Sequence, residues 1–354
     1  MCVPGCSAPS DSPTSVDTAK TRKLIWAGVP PSLRGRVWLA ATGNDLHVTR
    51  DLYEIFRKRA SDAKAATVAD NALRTSSGVL AVGSSSSSSS APASPGAAAA
   101  VAAPAVTAAA PGVLATGAQL VGREDSIVLI DTDLARTFPA LSFFQPGGPM
   151  YDTLRDVLET YVCYRPDIGY VQGMSFLAAL LLLQMDAYDC FQCLSNMLNR
   201  TVLLVSFKMN GAQIAGYMSV LRALLRKYLP KVEAQFQAQN IMLEAFAIDW
   251  ILTIFSKSLP LEVAARLWDV FLFDGEPFLF RAIVGLLKHI QRDIVANDFE
   301  LNMKLLTHIP QDIDAEELLK DIASIPLTPA EYKALRVKQL GVESAVLAHR
   351  SDGK

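Results

Sequence analysis

From about Glu124 onward, apolar residues recur at three- and four-residue steps and strand-type alternation is nearly absent. Such a pattern buries its apolar surface only as packed amphipathic helices. Between 151 and 164 one stripe collects Leu154, Val157, Leu158, Tyr161 and Val162, and Pro166 keeps that helix from running much further. Similar stripes span 176–198, 213–228, 243–255, 261–271 and 278–290. Pro260 and Pro277 sit where a first helical turn tolerates a missing N–H, and Asp314 with Glu317 has the spacing of a capping box. Thr328, Pro329, Ala330 and Glu331 make a further helix start. No period of repeat length is evident, so the chain reads as an irregular all-α unit and not as a solenoid.

The 354 residues are 51% apolar, enough for a sizeable core, and carry a formal net charge of −2. That balance gives no reason to expect a nucleic-acid partner or strong attraction to a membrane surface. Five cysteines, Cys2, Cys6, Cys163, Cys190 and Cys193, in a chain whose start lacks an apolar signal segment point to a reduced, cytoplasmic protein. The longest aliphatic and aromatic run, 176–183, falls far short of the roughly 20 residues a membrane span needs, and Gln184 and Asp186 close it. Residues 1–20 are small, polar and proline-containing, and we expect them to be disordered. From about 61 to 118 the chain runs through Ser84 to Ser90 and an Ala-rich stretch broken by Pro92, Pro95, Pro104 and Pro111. That composition predicts a flexible insertion within a domain spanning 21–340, followed by a tail over 341–354.

Two segments place polar groups beside apolar runs without the spacing of a solvated helix face. In the first, Ile130, Asp133 and Arg136 fall at i, i+3 and i+6, so on a helix Asp133 can hold the Arg136 guanidinium while Ile130 packs inward; Pro139 then ends the element. A guanidinium oriented by a carboxylate can donate to a phosphate oxygen. Taken alone, an i,i+3 Asp–Arg pair reads more often as a surface ion pair. The second segment, from Arg165 to Ser175, is a Pro- and Gly-punctuated loop between two apolar helices. If it is extended, Tyr170 and Gln172 point to one side, and Gly169 and Gly173 leave the backbone open to a partner. The competing reading is a structural turn whose Gln172 satisfies a neighbouring carbonyl.

Other constellations are weaker. Cys190 and Cys193 have the spacing of half a metal or redox site, but no second half follows, so they read as core or ordinary surface. His47, His289, His308 and His349 are scattered without triad partners. Gly147, Gly148 and Pro149 precede a helix without the Lys and Ser or Thr of a nucleotide cradle, so the chain is not expected to bind GTP itself or to hydrolyse it alone. We expect no metal and no cofactor of its own.

Taken in order, the segments resemble the TBC-domain family of Rab GTPase-activating proteins over about residues 24–325. Gly28, Val29 and Pro30, with Leu33, Arg34, Gly35, Arg36, Val37 and Trp38, look like the family's opening helix and R-x-x-x-W signature. Ile130, Asp133 and Arg136 look like the I-x-x-D-x-x-R arginine-finger motif, and Tyr170 with Gln172 like the Y-x-Q glutamine-finger motif. Asp249 to Phe255, Ser258 to Leu261 and Arg266 to Phe271, the last containing Trp268 and Asp269, are similar to the C-terminal signatures. The Ser/Ala/Pro insertion departs from the pattern, and we expect it to loop out between helices without displacing Arg136.

The resemblance implies an all-helical domain of two halves that binds a GTP-bound Rab and supplies two groups in trans. Arg136 would stabilise charge on the phosphoryl oxygens and Gln172 would position the attacking water, with GTP and Mg²⁺ carried by the Rab. Asp133 would orient Arg136, Tyr170 would pack near the Rab switch region, and Ile130 and Gly173 would support the site. Arg34 and Trp38, with Trp268 and Asp269, are assigned to structure, the first two holding the N-terminal helices against the catalytic half. A monomer is expected, with recruitment to endomembranes only through the lipid-anchored Rab. The alternative is a TBC scaffold that binds an active Rab or another partner without hastening hydrolysis.

Overall fold

Each apolar stripe lies on helix in the structure, a computed structural model that describes residues 18–78 and 126–340, and no strand forms among those residues. The N-terminal helices are α1 (Thr18–Ala27), α2 (Pro31–Thr42) and α3 (Arg50–Gly78). There follow α4 (Val128–Leu134), α5 (Tyr151–Tyr164), α6 (Met174–Leu182), α7 (Ala187–Leu198) and α8 (Thr201–Phe207). The chain continues through α9 (Gly211–Tyr228), α10 (Pro230–Ala238), α11 (Glu244–Thr253), α12 (Leu261–Asp274) and α13 (Glu276–His289). It ends with α14 (Gln291–Ala296), α15 (Phe299–Thr307), α16 (Ala315–Ala323) and α17 (Pro329–Leu340).

Local chemistry sets these boundaries. Pro260 immediately precedes α12 and Pro277 is the second residue of α13, where the missing N–H costs no helical bond. Asp314 caps α16 by accepting from the amides of Glu316 and Glu317, and the Thr328 hydroxyl accepts from the Glu331 amide at the start of α17. The stripe 176–198, expected as one element, is two helices. Asp186 accepts from the Asp189 amide at 2.8 Å and starts α7 afresh after a break at residues 183–186.

Helix α6 is buried along its whole length, with α4, α5, α7 and α11 packed around it. In the C-terminal half α13 takes the corresponding place, touched by α9, α11, α12, α14, α16 and α17. Helix α11 contacts both α6 and α13, and α2 contacts both α7 and α12, so one continuous core joins the halves.

Residues 61–78, expected to belong to a flexible insertion, are helical. Helix α3 continues past Ser61 to Gly78, since residues 61–78 contain no proline and enough Ala, Lys and Arg to keep a helix already nucleated at Arg50 growing. Likewise α1 begins at Thr18, inside the segment expected to be disordered. The rest of that segment, the insertion beyond residue 78 and the tail 341–354 lie outside the described residues. No described helix is long and apolar enough to cross a membrane.

The close approach of α2 to the connection between α6 and α7 depends on one glycine. A Cβ on Gly35 would stand 2.1 Å from the carbonyl oxygen of Gln184, a backbone atom that cannot swing aside. Gly35→Ala is therefore expected to destabilise the fold by about 1–3 kcal/mol, as overpacking does. The midpoint of urea unfolding measures it, and an unchanged midpoint would mean that α2 and this connection separate without cost.

Candidate functional site

The turn that follows α4 carries the arginine of the first motif. The helix itself stops at Leu134, so Arg136 lies just beyond it and not on a continuous helix as the spacing suggested. Bonds tighten to the i,i+3 pattern there, from the Arg136 amide to the Asp133 carbonyl and from the Thr137 amide to the Leu134 carbonyl, each 3.1 Å. Phe138 then takes the left-handed conformation, φ 43°, a state that costs a bulky residue roughly 1–3 kcal/mol. Pro139 opens a short 3-10 turn, Pro139–Leu141, and does not itself end α4. Contacts hold the strained residue in place: the Phe138 ring meets Phe176 of α6 edge-on at 5.4 Å.

Asp133, 2% exposed, joins the two motifs. Its Oδ1 accepts from both Nε and Nη2 of Arg136, whose side chain is 50% exposed. Its Oδ2 accepts from the Tyr170 hydroxyl at 2.6 Å and from the Gly173 amide at 3.1 Å. Four donors saturate the lone pairs of one carboxylate, so Asp133 is fully paired although buried. Burial, reinforced by the Asp133 charge, pushes the Tyr170 phenol far above its ordinary range, which keeps it protonated as a donor. Around this centre, the Thr137 hydroxyl pairs with the Asp133 carbonyl and the Ser175 hydroxyl at 2.7 and 2.8 Å. The Tyr170 amide donates to the Ser126 hydroxyl.

Gln172 is exposed between two residues that both bond to Asp133. The segment is a turn and not the extended loop expected, because Gly169 and Gly173 take φ of +69° and +100° and the Met174 amide bonds to the Val171 carbonyl. Consequently Tyr170 points into the protein while Gln172 stays at the surface, and Tyr170 is placed to support Asp133 instead of meeting a partner. The two glycines are buried too, not open to an incoming molecule. Ile130 is fully buried beneath α4. Asp131 fixes the outer side of that helix, accepting from Arg155 and Tyr151 of α5.

Removing only the Tyr170 hydroxyl leaves Asp133 Oδ2 with a single donor. Tyr170→Phe is expected to cost about 1–3 kcal/mol of stability, the penalty for a buried acceptor that loses its partner. Thermal unfolding and the activity assay described below measure its two consequences, and a variant matching the wild type in both would show that Asp133 needs no support from this side.

A second buried carboxylate organises the N-terminal helices. Asp269 Oδ1 accepts from the Trp38 indole at 2.8 Å and Oδ2 from the Val29 amide at 3.2 Å. Arg34 and Arg266 stand 3.5 and 3.6 Å away, and Trp38 lies 5.4 Å from Trp268. Arg34 also donates to Glu262. All these partners sit on or beside α12, so Arg34 and Trp38 bind the N-terminal helices to the C-terminal half, not to the half bearing Arg136. Sequence reading missed this pairing because nothing local links Trp38 to a residue so far along the chain. It also missed Ser126, Thr137 and Ser175, whose only signal was their place beside the motifs.

Cys190 and Cys193 are fully buried free thiols, and burial raises both, Cys193 to about 11, so they remain neutral core groups. Among the described residues no three His, Cys, Asp or Glu converge as a metal site.

A family model described as the Rab-GTPase-TBC domain matches residues 118–295. TBC1 domain family member 14 of Bos taurus is 39% identical over 318 residues, covering 90% of this chain and 41% of that protein. Drainin of Dictyostelium discoideum is 34% identical, covering 91% of this chain and 72% of that protein. The chain thus spans about two fifths of the length of the first curated relatives it matches. Among solved structures, the Chlamydomonas flagellar RabGAP TBC domain superposes with a TM-score of 0.55 at 21% identity, covering 94% of this chain and 85% of that one. The Ypt/Rab-GAP domain of Gyp1p gives 0.57 at 14% identity, covering 93% and 95%. At such identities these two likenesses concern the fold.

Proposed function

The chain belongs to the Rab-GTPase-TBC domain family, and from that premise we propose that it accelerates GTP hydrolysis by a bound Rab, with Arg136 and Gln172 entering the Rab's nucleotide site. The observation that carries this reading is Asp133, one buried carboxylate bonded to Arg136 through one oxygen and to the Gln172 turn through the other. An ion pair needed only for stability does not call for a second loop on the same carboxylate. Here the Arg136 side chain and the backbone turn that carries Gln172, remote in sequence, are held by a single carboxylate.

A Rab alone lacks full neutralisation of charge on the γ-phosphoryl group and firm placement of the attacking water. The Arg136 guanidinium, half-exposed at the end of α4, would donate to the bridging and transferred oxygens as the bond to GDP breaks. The exposed Gln172 carboxamide would hold the water in line with phosphorus as the new P–O bond forms. GTP and Mg²⁺ remain with the Rab, and the chain meets the membrane through that lipid-anchored partner while itself staying cytoplasmic and monomeric.

Single-turnover hydrolysis of GTP preloaded on a panel of Rabs tests the reading. At least one Rab is expected to release phosphate faster when the protein is added. Binding to a GTP-loaded Rab with no change in rate across the panel would instead identify a scaffold.

A further inference from the structure

We propose that Trp268 is a positioning residue for Gln172, acting from α12 through the left-handed end of α11. The inference rests on the reading that Gln172 orients the water. Trp268 is completely buried, and its indole N–H donates to the Ile254 carbonyl at 3.0 Å. Ile254 takes φ 46° and ψ 49°, and Phe255 follows at φ 62°. Two consecutive non-glycine residues in this region, one of them β-branched, persist only where the surroundings fix them. Here the Phe255 amide bonds to the Trp250 carbonyl, and the Trp268 indole bonds to the carbonyl at the bend itself.

Thr253, the last residue of α11, is tied to the bend through its carbonyl, which accepts from the Ser256 amide and hydroxyl, and to its own helix through its hydroxyl, which donates to the Asp249 carbonyl at 2.8 Å. Its methyl carbon Cγ2 stands 3.2 Å from the position a Cβ on Gly173 would take. Gly173 therefore lies directly against α11 while its amide is fixed on Asp133. The turn carrying Gln172 is thus clamped between two walls, Asp133 of α4 and Thr253 of α11, and Trp268 holds the second. Without the indole bond the Ile254 carbonyl loses its buried donor, the left-handed bend relaxes, and the methyl of Thr253 withdraws from Gly173.

Trp268→Phe keeps a ring against Trp38 and removes the N–H. Amide exchange over residues 169–174 is expected to quicken about tenfold while that over 130–137 stays unchanged, because only one wall is loosened. With a responsive Rab the saturating rate constant should fall about 10- to 100-fold, the usual effect of displacing a reacting group by an ångström, with the half-saturating concentration unaltered. In a Gln172→Ala background the same substitution should cost nothing more.

Thr253→Ser serves as the second, gentler variant, since it keeps the hydroxyl and removes only the methyl that meets Gly173. It should show the same pattern at smaller amplitude. Unchanged exchange over 169–174 in both variants overturns the proposal, as does a loss of equal size with and without Gln172, or a loss in affinity alone. If the wild-type protein stimulates no Rab, the functional reading fails, and exchange over 169–174 still decides whether the clamp exists.

Discussion

Arg136→Ala is expected to lower Rab-stimulated GTP hydrolysis by about 10³- to 10⁵-fold, the range that supplying an arginine in trans is worth. In barrier terms this is about 4–7 kcal/mol, since each tenfold is 1.36 kcal/mol. No other side chain at the site can replace it. Gln172 is neutral, Asp133 has the wrong sign, and Tyr170 is buried with its proton committed to Asp133. Lysine should rescue poorly: Asp133 holds Arg136 through Nε and Nη2 together, a two-pronged contact that a single ammonium on a flexible stem cannot reproduce. The fold itself should survive, because the arginine side chain is half-exposed and Asp133 keeps its bonds to Tyr170 and Gly173. Gln172→Ala should also slow the reaction, by less, since it removes water placement and leaves the charge compensation. The measurement is phosphate release in a single turnover at saturating protein. A rate unchanged by Arg136→Ala would show that the exposed guanidinium has no part in hydrolysis, whatever the protein binds.

Much of this was legible in the sequence, for reasons that differ by element. Helices such as α5 and α13 declare themselves because each buries one face, which forces the 3.6-residue period into the choice of side chain. Asp133 and Arg136 were readable because their contact is local, three residues apart on a turn of helix. The orientation of Tyr170 was not, since whether a loop between glycines is extended or turned depends on what packs against it, here Asp133 on one side and Thr253 on the other. Composition made residues 61–78 read as linker because alanine and serine suit one, whereas Ala-rich sequence without proline also continues a helix, as α3 does to Gly78. The left-handed Ile254 left no trace at all. Nothing in an isoleucine signals that conformation, whose carbonyl is bonded by a tryptophan from another helix.

Asp269→Ala is expected to cost about 3–5 kcal/mol of folding stability, the loss seen when one member of a buried ion pair is removed. The carboxylate gathers four groups from three stretches of chain: the Trp38 indole, the Val29 amide, and the guanidiniums of Arg34 and Arg266. Truncation strands the Trp38 indole and the Val29 amide without an acceptor and removes the carboxylate from beside two guanidiniums, of which Arg34 keeps Glu262. Charge attraction alone does not explain the arrangement. Burial pushes the Asp269 carboxyl above its ordinary range, and the opposing pull of Trp38, Arg34, Val29 and Arg266 does not cancel it. Desolvation therefore exceeds the combined pull of those hydrogen bonds and charges on the ionised form, and what truncation forfeits is the acceptor that the buried Trp38 and Val29 donors use. Asp269→Asn, which retains one acceptor oxygen for Trp38 but turns an amide toward the remaining donors, should accordingly fall between alanine and the wild type. Trp38→Phe should cost less than Asp269→Ala, and the double variant little more than Asp269→Ala alone, because the indole bond is already lost once its acceptor is gone. Guanidinium chloride unfolding of the four variants and the wild type gives these differences directly. An Asp269→Ala protein within about 1 kcal/mol of the wild type would mean that α1 and α2 are held to α12 by apolar packing, such as that of Trp38 on Trp268, with the buried carboxylate contributing nothing net.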